Sequence, residues 1–208
     1  PELGKCVQLQ HLAISNNQLS GPVPEELLAN CRQLRNLFIN NNQLTGSLPT
    51  AIGQCTQLCE LNMCANQLTG TIPEELGQCT ALTKILLNRN KLNGAIPASL
   101  GRCLELRELY LSSNQLSGAI PAELGQCVGL ATLSLGDNRL ACCPEGRNSK
   151  LPAALGNCLA LTELKVDADI VPNNERDLPQ PLQLRRSEGS FELHAITSPS
   201  KSPQVRPV

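Results

Sequence analysis

Eleven cysteines, two histidines and scattered carboxylates are the residues of this 208-residue chain whose types could do chemistry. Their spacing argues against it. No CxxC pair occurs, and His11 and His194 stand far apart, so the ligand spacing of a zinc site is absent. No GxSxG, HExxH or phosphate-binding loop is present. Glu74, Glu75 and Glu123 fall in PxEL segments where a solvated surface accounts for them. The reading is therefore a chain with no catalytic residues, no metal and no cofactor.

Seven cysteines form a regular column instead: Cys6, Cys31, Cys55, Cys79, Cys103, Cys127 and Cys158. Most lie in LGxCxxL, just before a leucine. A thiol repeated in that setting is expected to be a small buried hydrophobe. Cys59, Cys64, Cys142 and Cys143 lie off the column. Cys64 is expected to face outward, and the pairing state of all four stays open. Free surface thiols suit a reducing compartment.

The column belongs to a repeat. LCELNMCAN at Leu58, LTKILLNRN at Leu82, LRELYLSSN at Leu106 and LATLSLGDN at Leu130 all read LxxLxLxxN and start 24 residues apart. Leu34 opens the same pattern 24 residues earlier, and Leu9 opens it 25 before that, the extra residue falling in Leu27–Cys31. A degenerate seventh unit starts at Leu161 after a seven-residue insertion. Each unit continues with LxGxxP: LSGPVP at Leu19, LTGSLP at Leu44, LTGTIP at Leu68, LNGAIP at Leu92 and LSGAIP at Leu116. Alternation inside LxxLxLxxN is that of a short strand, with Leu12 and Ile14 inward and His11, Ala13 and Ser15 outward. One unit cannot bury its own leucines, so units must stack. The glycines of LxGxxP are expected at tight turns with positive φ. Pro24, Pro49, Pro73, Pro97, Pro121 and Pro152 are expected to end extended pieces. The asparagine column Asn17, Asn42, Asn66, Asn90, Asn114 and Asn138 is expected to point inward and satisfy turn backbones.

This double motif resembles the plant-type leucine-rich repeat of receptor-kinase ectodomains and polygalacturonase inhibitors. The resemblance spans residues 1–170 and implies an α/β solenoid: a curved stack with a parallel β-sheet on the concave face and short helical, 3-10 or extended segments on the convex side. Residues 141–150 are an insertion in the sixth unit. Residues 171–208 read as a Pro/Ser-containing extension that cannot bury enough surface to fold alone. The pattern fades after Val166, where Asp169 replaces the expected Asn. The chain opens at Pro1 in the tail of a unit, with no recognisable cap, which suggests a processed or partial product.

Recognition is then sought on the outward strand positions. The central column runs Ala13, Phe38, Asn62, Leu86, Tyr110, Ser134 and Lys165. Phe38 and Tyr110 are two of only three aromatics in the chain, so their shared column suggests a binding hot spot. Arg35, Lys84, Arg89 and Arg107 with Glu60 and Glu108 suggest a basic middle, and Asp137, Glu163 and Asp167 an acidic C-terminal rim. The candidate partner-binding residues are Phe38, Leu86, Tyr110, Asn62, Lys84, Arg89, Arg107 and Glu108.

A net charge of −1 gives no case for nucleic acid, and no apolar run is long enough to span a bilayer. Protein partners are expected, a small-molecule ligand is not. The leading expectation is a non-catalytic scaffold subunit of a larger assembly. The alternative is the ligand-recognition fragment of a receptor-kinase-like ectodomain. An inhibitor or an ice-binding protein ranks third. No Asn-x-Ser/Thr sequon occurs, which with the thiol pattern leans the expected location toward an intracellular or organellar site over an extracellular one.

Overall fold

The repeat becomes a stack of near-identical coils. A computed structural model of the chain describes residues 2–140 and 151–167, and the backbone of residues 182–187 and 190–195. Each coil gives one short strand to a common sheet: His11–Ala13, Asn36–Phe38, Glu60–Asn62, Lys84–Leu86, Glu108–Tyr110, Thr132–Ser134 and Glu163–Asp167. These strands pair in parallel in chain order. Because the period is nearly constant, equivalent residues become cross-strand partners, and Ala13, Phe38, Asn62, Leu86, Tyr110, Ser134 and Lys165 line up in one row.

The inward leucines of all coils merge into one core running from Leu12 to Val166. Leu37, Leu61, Ile85, Leu109, Leu133 and Leu164, the second residues of six strands, are fully buried. The first six coils leave the sheet through a left-handed residue, and the first five then make a second turn at a glycine such as Gly70, φ 73°. A proline with φ between −62° and −70° precedes each convex helix, where its missing N–H costs nothing. Most of these helices are five-residue 3-10 turns, as at Thr50–Gln54 and Glu74–Gln78. The extra residue of the first full unit converts its turn into the α-helix Glu25–Asn30. Neighbouring turns approach so closely that a β-carbon on Gly53 would lie 2.8 Å from that of Glu75.

The asparagine column ties coil to coil. Asn66 shows the pattern: its Oδ1 accepts the Leu44 N–H at 3.0 Å. Its Nδ2 donates to Ile39 O at 3.0 Å and Met63 O at 3.2 Å. One amide thus satisfies the turn of its own coil and both ends of the preceding strand-to-turn passage. Asn42, Asn90, Asn114 and Asn138 repeat the arrangement. Asn17 holds only its own turn, at Ile14 O and Ser15 O. Among the described residues no buried side-chain nitrogen or oxygen lacks a partner.

A second ladder is made of thiols. The Cys55 Sγ donates to Leu28 O at 3.3 Å, Cys79 to Ile52 O at 3.2 Å, and Cys127 to Cys103 O at 3.3 Å. Burial raises these thiols, Cys55 and Cys103 to about 11 and Cys79 and Cys127 to about 12. Cys6 departs from its column. It is exposed, just after the first described turn, Glu2–Lys5.

Two strands extend the sheet beyond the seventh coil. Ser190–Ala195 pairs antiparallel with Glu163–Asp167, and Leu182–Ser187 pairs antiparallel with Ser190–Ala195. Segments of the extension thus fold against the solenoid, where the open sheet edge supplies the hydrogen-bond partners that they lack alone. Asp169, Cys142, Cys143 and the 141–150 insertion lie outside the described residues.

Two outcomes test these ladders. Asn66→Ala or Asn114→Ala is expected to cost about 1–3 kcal/mol in urea denaturation, because buried backbone groups lose their partners; Asn17→Ala should cost less. In the native protein at pH 8, maleimide should modify Cys6 rapidly, while Cys55, Cys79, Cys103 and Cys127 stay unmodified, since a raised thiol carries almost no thiolate there.

Candidate partner-binding face

Strand alternation delivers every second residue to the concave surface. In the central row Phe38, Asn62, Leu86, Tyr110 and Lys165 are half-buried and Ala13 is exposed. At a strand spacing of about 4.8 Å, Phe38 and Tyr110 stand roughly 14 Å apart with Asn62 and Leu86 between them. Ser134 does not present a surface as expected. It retains 4% exposure, its short side chain set between Tyr110 and Lys165 in register on either side. The Asn62 Oδ1 accepts the Cys64 N–H at 3.2 Å. Cys64 itself is half-buried, two residues beyond the end of that strand.

The neighbouring row carries the charges: His11, Asn36, Glu60, Lys84, Glu108, Thr132 and Glu163 are partners in register. The Lys84 ammonium lies 2.9 Å from Glu108. Its hydrogen bond to that carboxylate, then the attraction of Glu108 and, more weakly, Glu60, hold the lysine above its ordinary pKa. Lys165 and Glu163 pair at 2.7 Å. Both pairs are partly exposed and each contributes about 0–1 kcal/mol at most.

The expected basic middle is therefore absent from the centre of the sheet. Lys84 is answered by two carboxylates, and the remaining arginines lie at the margins. Arg107 is exposed one position before Glu108, and Arg35 turns to Gln57 Oε1 at 3.4 Å. Arg89 is not on a strand. It occupies the turn after Lys84–Leu86, exposed, in the left-handed region at φ 57°. The acidic rim is reduced in the same way. The Asp167 carboxylate accepts the Asp137 N–H at 2.7 Å and the Asn138 N–H at 3.1 Å. In earlier coils a backbone carbonyl takes the first of these amides, as when the Ser113 N–H donates to Gly136 O.

Of the eight candidate residues, Phe38, Asn62, Leu86 and Tyr110 form one row, with Lys84 and Glu108 beside it. Arg107 borders that patch and Arg89 stands on the opposite rim. Sequence reasoning missed two roles. The capping by Asp167 depends on a side chain replacing a carbonyl, which no spacing reveals. The sharing of Lys84 between Glu60 and Glu108 was legible in principle, since the 24-residue period puts the three in register. Among the described residues no group of three or more His, Cys, Asp or Glu converges to hold a metal. None of the described helices is long and apolar enough to cross a membrane.

A parallel-strand solenoid locked by an asparagine ladder defines a class of repeat protein built for extended surfaces. The chain belongs to the leucine-rich-repeat family, whose pattern matches residues 32–92, 80–140 and 8–30. Its solved likenesses are of the plant type. The plant peptide hormone receptor RGFR1 in complex with RGF2 is 38% identical, covers 77% of this chain and superposes with a TM-score of 0.72. The Arabidopsis receptor kinase HAESA, in complex with the peptide hormone IDA and the co-receptor SERK1, is 32% identical over 77% of this chain, with a TM-score of 0.70. A plant ice-binding protein is 32% identical over 67% of this chain and 45% of its own length, with a TM-score of 0.62. The chain spans about a quarter of the two receptor structures, 24% and 26%. No curated protein sequence matches it.

The Asp167 cap is testable by substitution. Asp167→Ala leaves two amides without their charged acceptor and is expected to cost about 1–3 kcal/mol in chemical denaturation. No change would show that water replaces the carboxylate at no cost.

Proposed function

We propose that this solenoid is a non-catalytic recognition module of a receptor-ectodomain type, which binds an extended peptide across its concave face. The observation that carries the reading is the row Phe38–Asn62–Leu86–Tyr110. It puts two of the chain's three aromatics at the two ends of four consecutive coils, in register and half-open to solvent. Large amphipathic side chains on a rigid sheet make good anchors, because little rotamer entropy is lost when a ligand covers them. The likeness to receptors whose structures contain peptide hormones supports a peptide as the partner. The likeness to ectodomains supports an extracellular setting.

A scaffold subunit inside a larger assembly is the weaker reading. It drew on free surface thiols as a sign of a reducing compartment, but Cys59 and Cys64, the off-column cysteines described, are both half-buried, and the likeness to receptor ectodomains supports the recognition reading. A buried thiol with a raised pKa is inert wherever the protein resides, so it reports nothing about the compartment.

The test is a selection of displayed random decapeptides on the intact chain, followed by binding of the selected peptides to Phe38→Ala/Tyr110→Ala. Loss of the two anchors should weaken binding at least tenfold, while the midpoint of thermal unfolding stays nearly unchanged. A stability loss of several kcal/mol would place these rings in the core and overturn the assignment.

A further inference from the structure

On the concave face Glu60 makes no ion pair among the described residues, and Asn62 stands beside it between two apolar side chains. Glu60, Lys84 and Glu108 are consecutive partners in one row. Lys84 gives its short contact, 2.9 Å, to Glu108. Glu60 feels the same ammonium only as a weaker, longer attraction. Arg35, the next cation along the sheet, is drawn away toward Gln57. Lys84 thus stays with Glu108, and the Glu60 carboxylate makes no ion pair among the described residues.

Immediately above Glu60 on the same strand is Asn62, the polar gap between Phe38 and Leu86. Those two apolar side chains are two strands apart, about 10 Å. An aliphatic side chain entering between them would rest on the Asn62 amide. The Cys64 N–H fixes the Asn62 Oδ1, so its Nδ2 is the part left to face a ligand. That nitrogen makes no hydrogen bond among the described residues and is placed to donate to a peptide carbonyl. A peptide lying parallel to the strands presents every second side chain to the sheet, about 6.8 Å apart, which matches the offset from Asn62 to Glu60 on their strand.

We infer that the ligand of this face is an extended peptide in which an aliphatic residue, set between Phe38 and Leu86, stands two positions from a lysine or arginine that pairs with Glu60. The inference rests on the peptide reading above and adds its chemistry. The aliphatic side chain supplies contact area and the Asn62 amide fixes the height of the backbone. Glu60 selects the sign of the charge, which is the part electrostatics plays best at a solvent-lined interface.

The test uses random decapeptides displayed on phage, selected in parallel on the intact wild-type chain and on Glu60→Lys. Wild type should enrich peptides that pair Leu, Ile or Val with Lys or Arg. Glu60→Lys should instead enrich Asp or Glu at the charged position. Changing the basic residue of a selected peptide to Glu should weaken wild-type binding about fivefold at 50 mM salt, the upper end for an exposed ion pair. The effect should shrink at 0.5 M salt as screening shortens the range of the interaction. Peptides that bind wild type, lose binding on Phe38→Ala/Tyr110→Ala and show no charge preference would overturn this inference and leave the peptide reading standing. Failure of both selections to enrich any peptide would overturn both.

Discussion

Everything in this protein depends on a coil that cannot satisfy itself. A single 24-residue unit exposes its inward leucines on two sides and leaves the backbone of its turn unpaired. Stacking answers the first deficit by burying apolar area, and the asparagine ladder answers the second. Each middle asparagine spans two coils, accepting from one chain segment and donating to another. The amide therefore sets the spacing and register of neighbouring coils as well as their stability. Register in turn decides which residues share a row on the concave face.

The concave surface inherits this rigidity. Phe38, Asn62, Leu86 and Tyr110 hold their order because the leucines between them are locked into the core below. A surface fixed from beneath loses little entropy on binding, so a few good anchors suffice. The exposed row is also free to vary in sequence, since stacking uses only the inward residues. The charges follow the same logic. Their pairing is a consequence of register, and residues 24 apart in the chain become nearest neighbours.

Much of this was legible in the residues. The periodic leucines, asparagines and glycines identify strands, turns and stacking direction, because each has a chemical requirement met at one place in the coil. The buried thiols followed from their position before a core leucine. Cys6 is the exposed member of the column; the buried ones rest on carbonyls of the turn before them, as Cys31 does on Cys6 O and Cys127 on Cys103 O. Ser134 is a second departure: orientation is set by its own strand, but exposure depends on the length of its neighbours' side chains. Charge was the least legible property. Listing Lys84, Arg89 and Arg107 together suggested a basic patch, yet one is neutralised and one sits in a turn. The carboxylate of Asp167 was counted as a free charge although backbone amides occupy it.

The central claim is that recognition takes place on the concave sheet and not on the convex turns. It is tested most directly by placing a benzophenone photo-crosslinker at Asn88, next in line after Leu86 on the concave face, and separately at Glu74 on a convex 3-10 turn. A pooled decapeptide library is then irradiated with each protein. The account predicts peptide capture at position 88, suppressed by excess unlabelled library, and background capture at position 74. Equal or stronger capture at the convex position would contradict it.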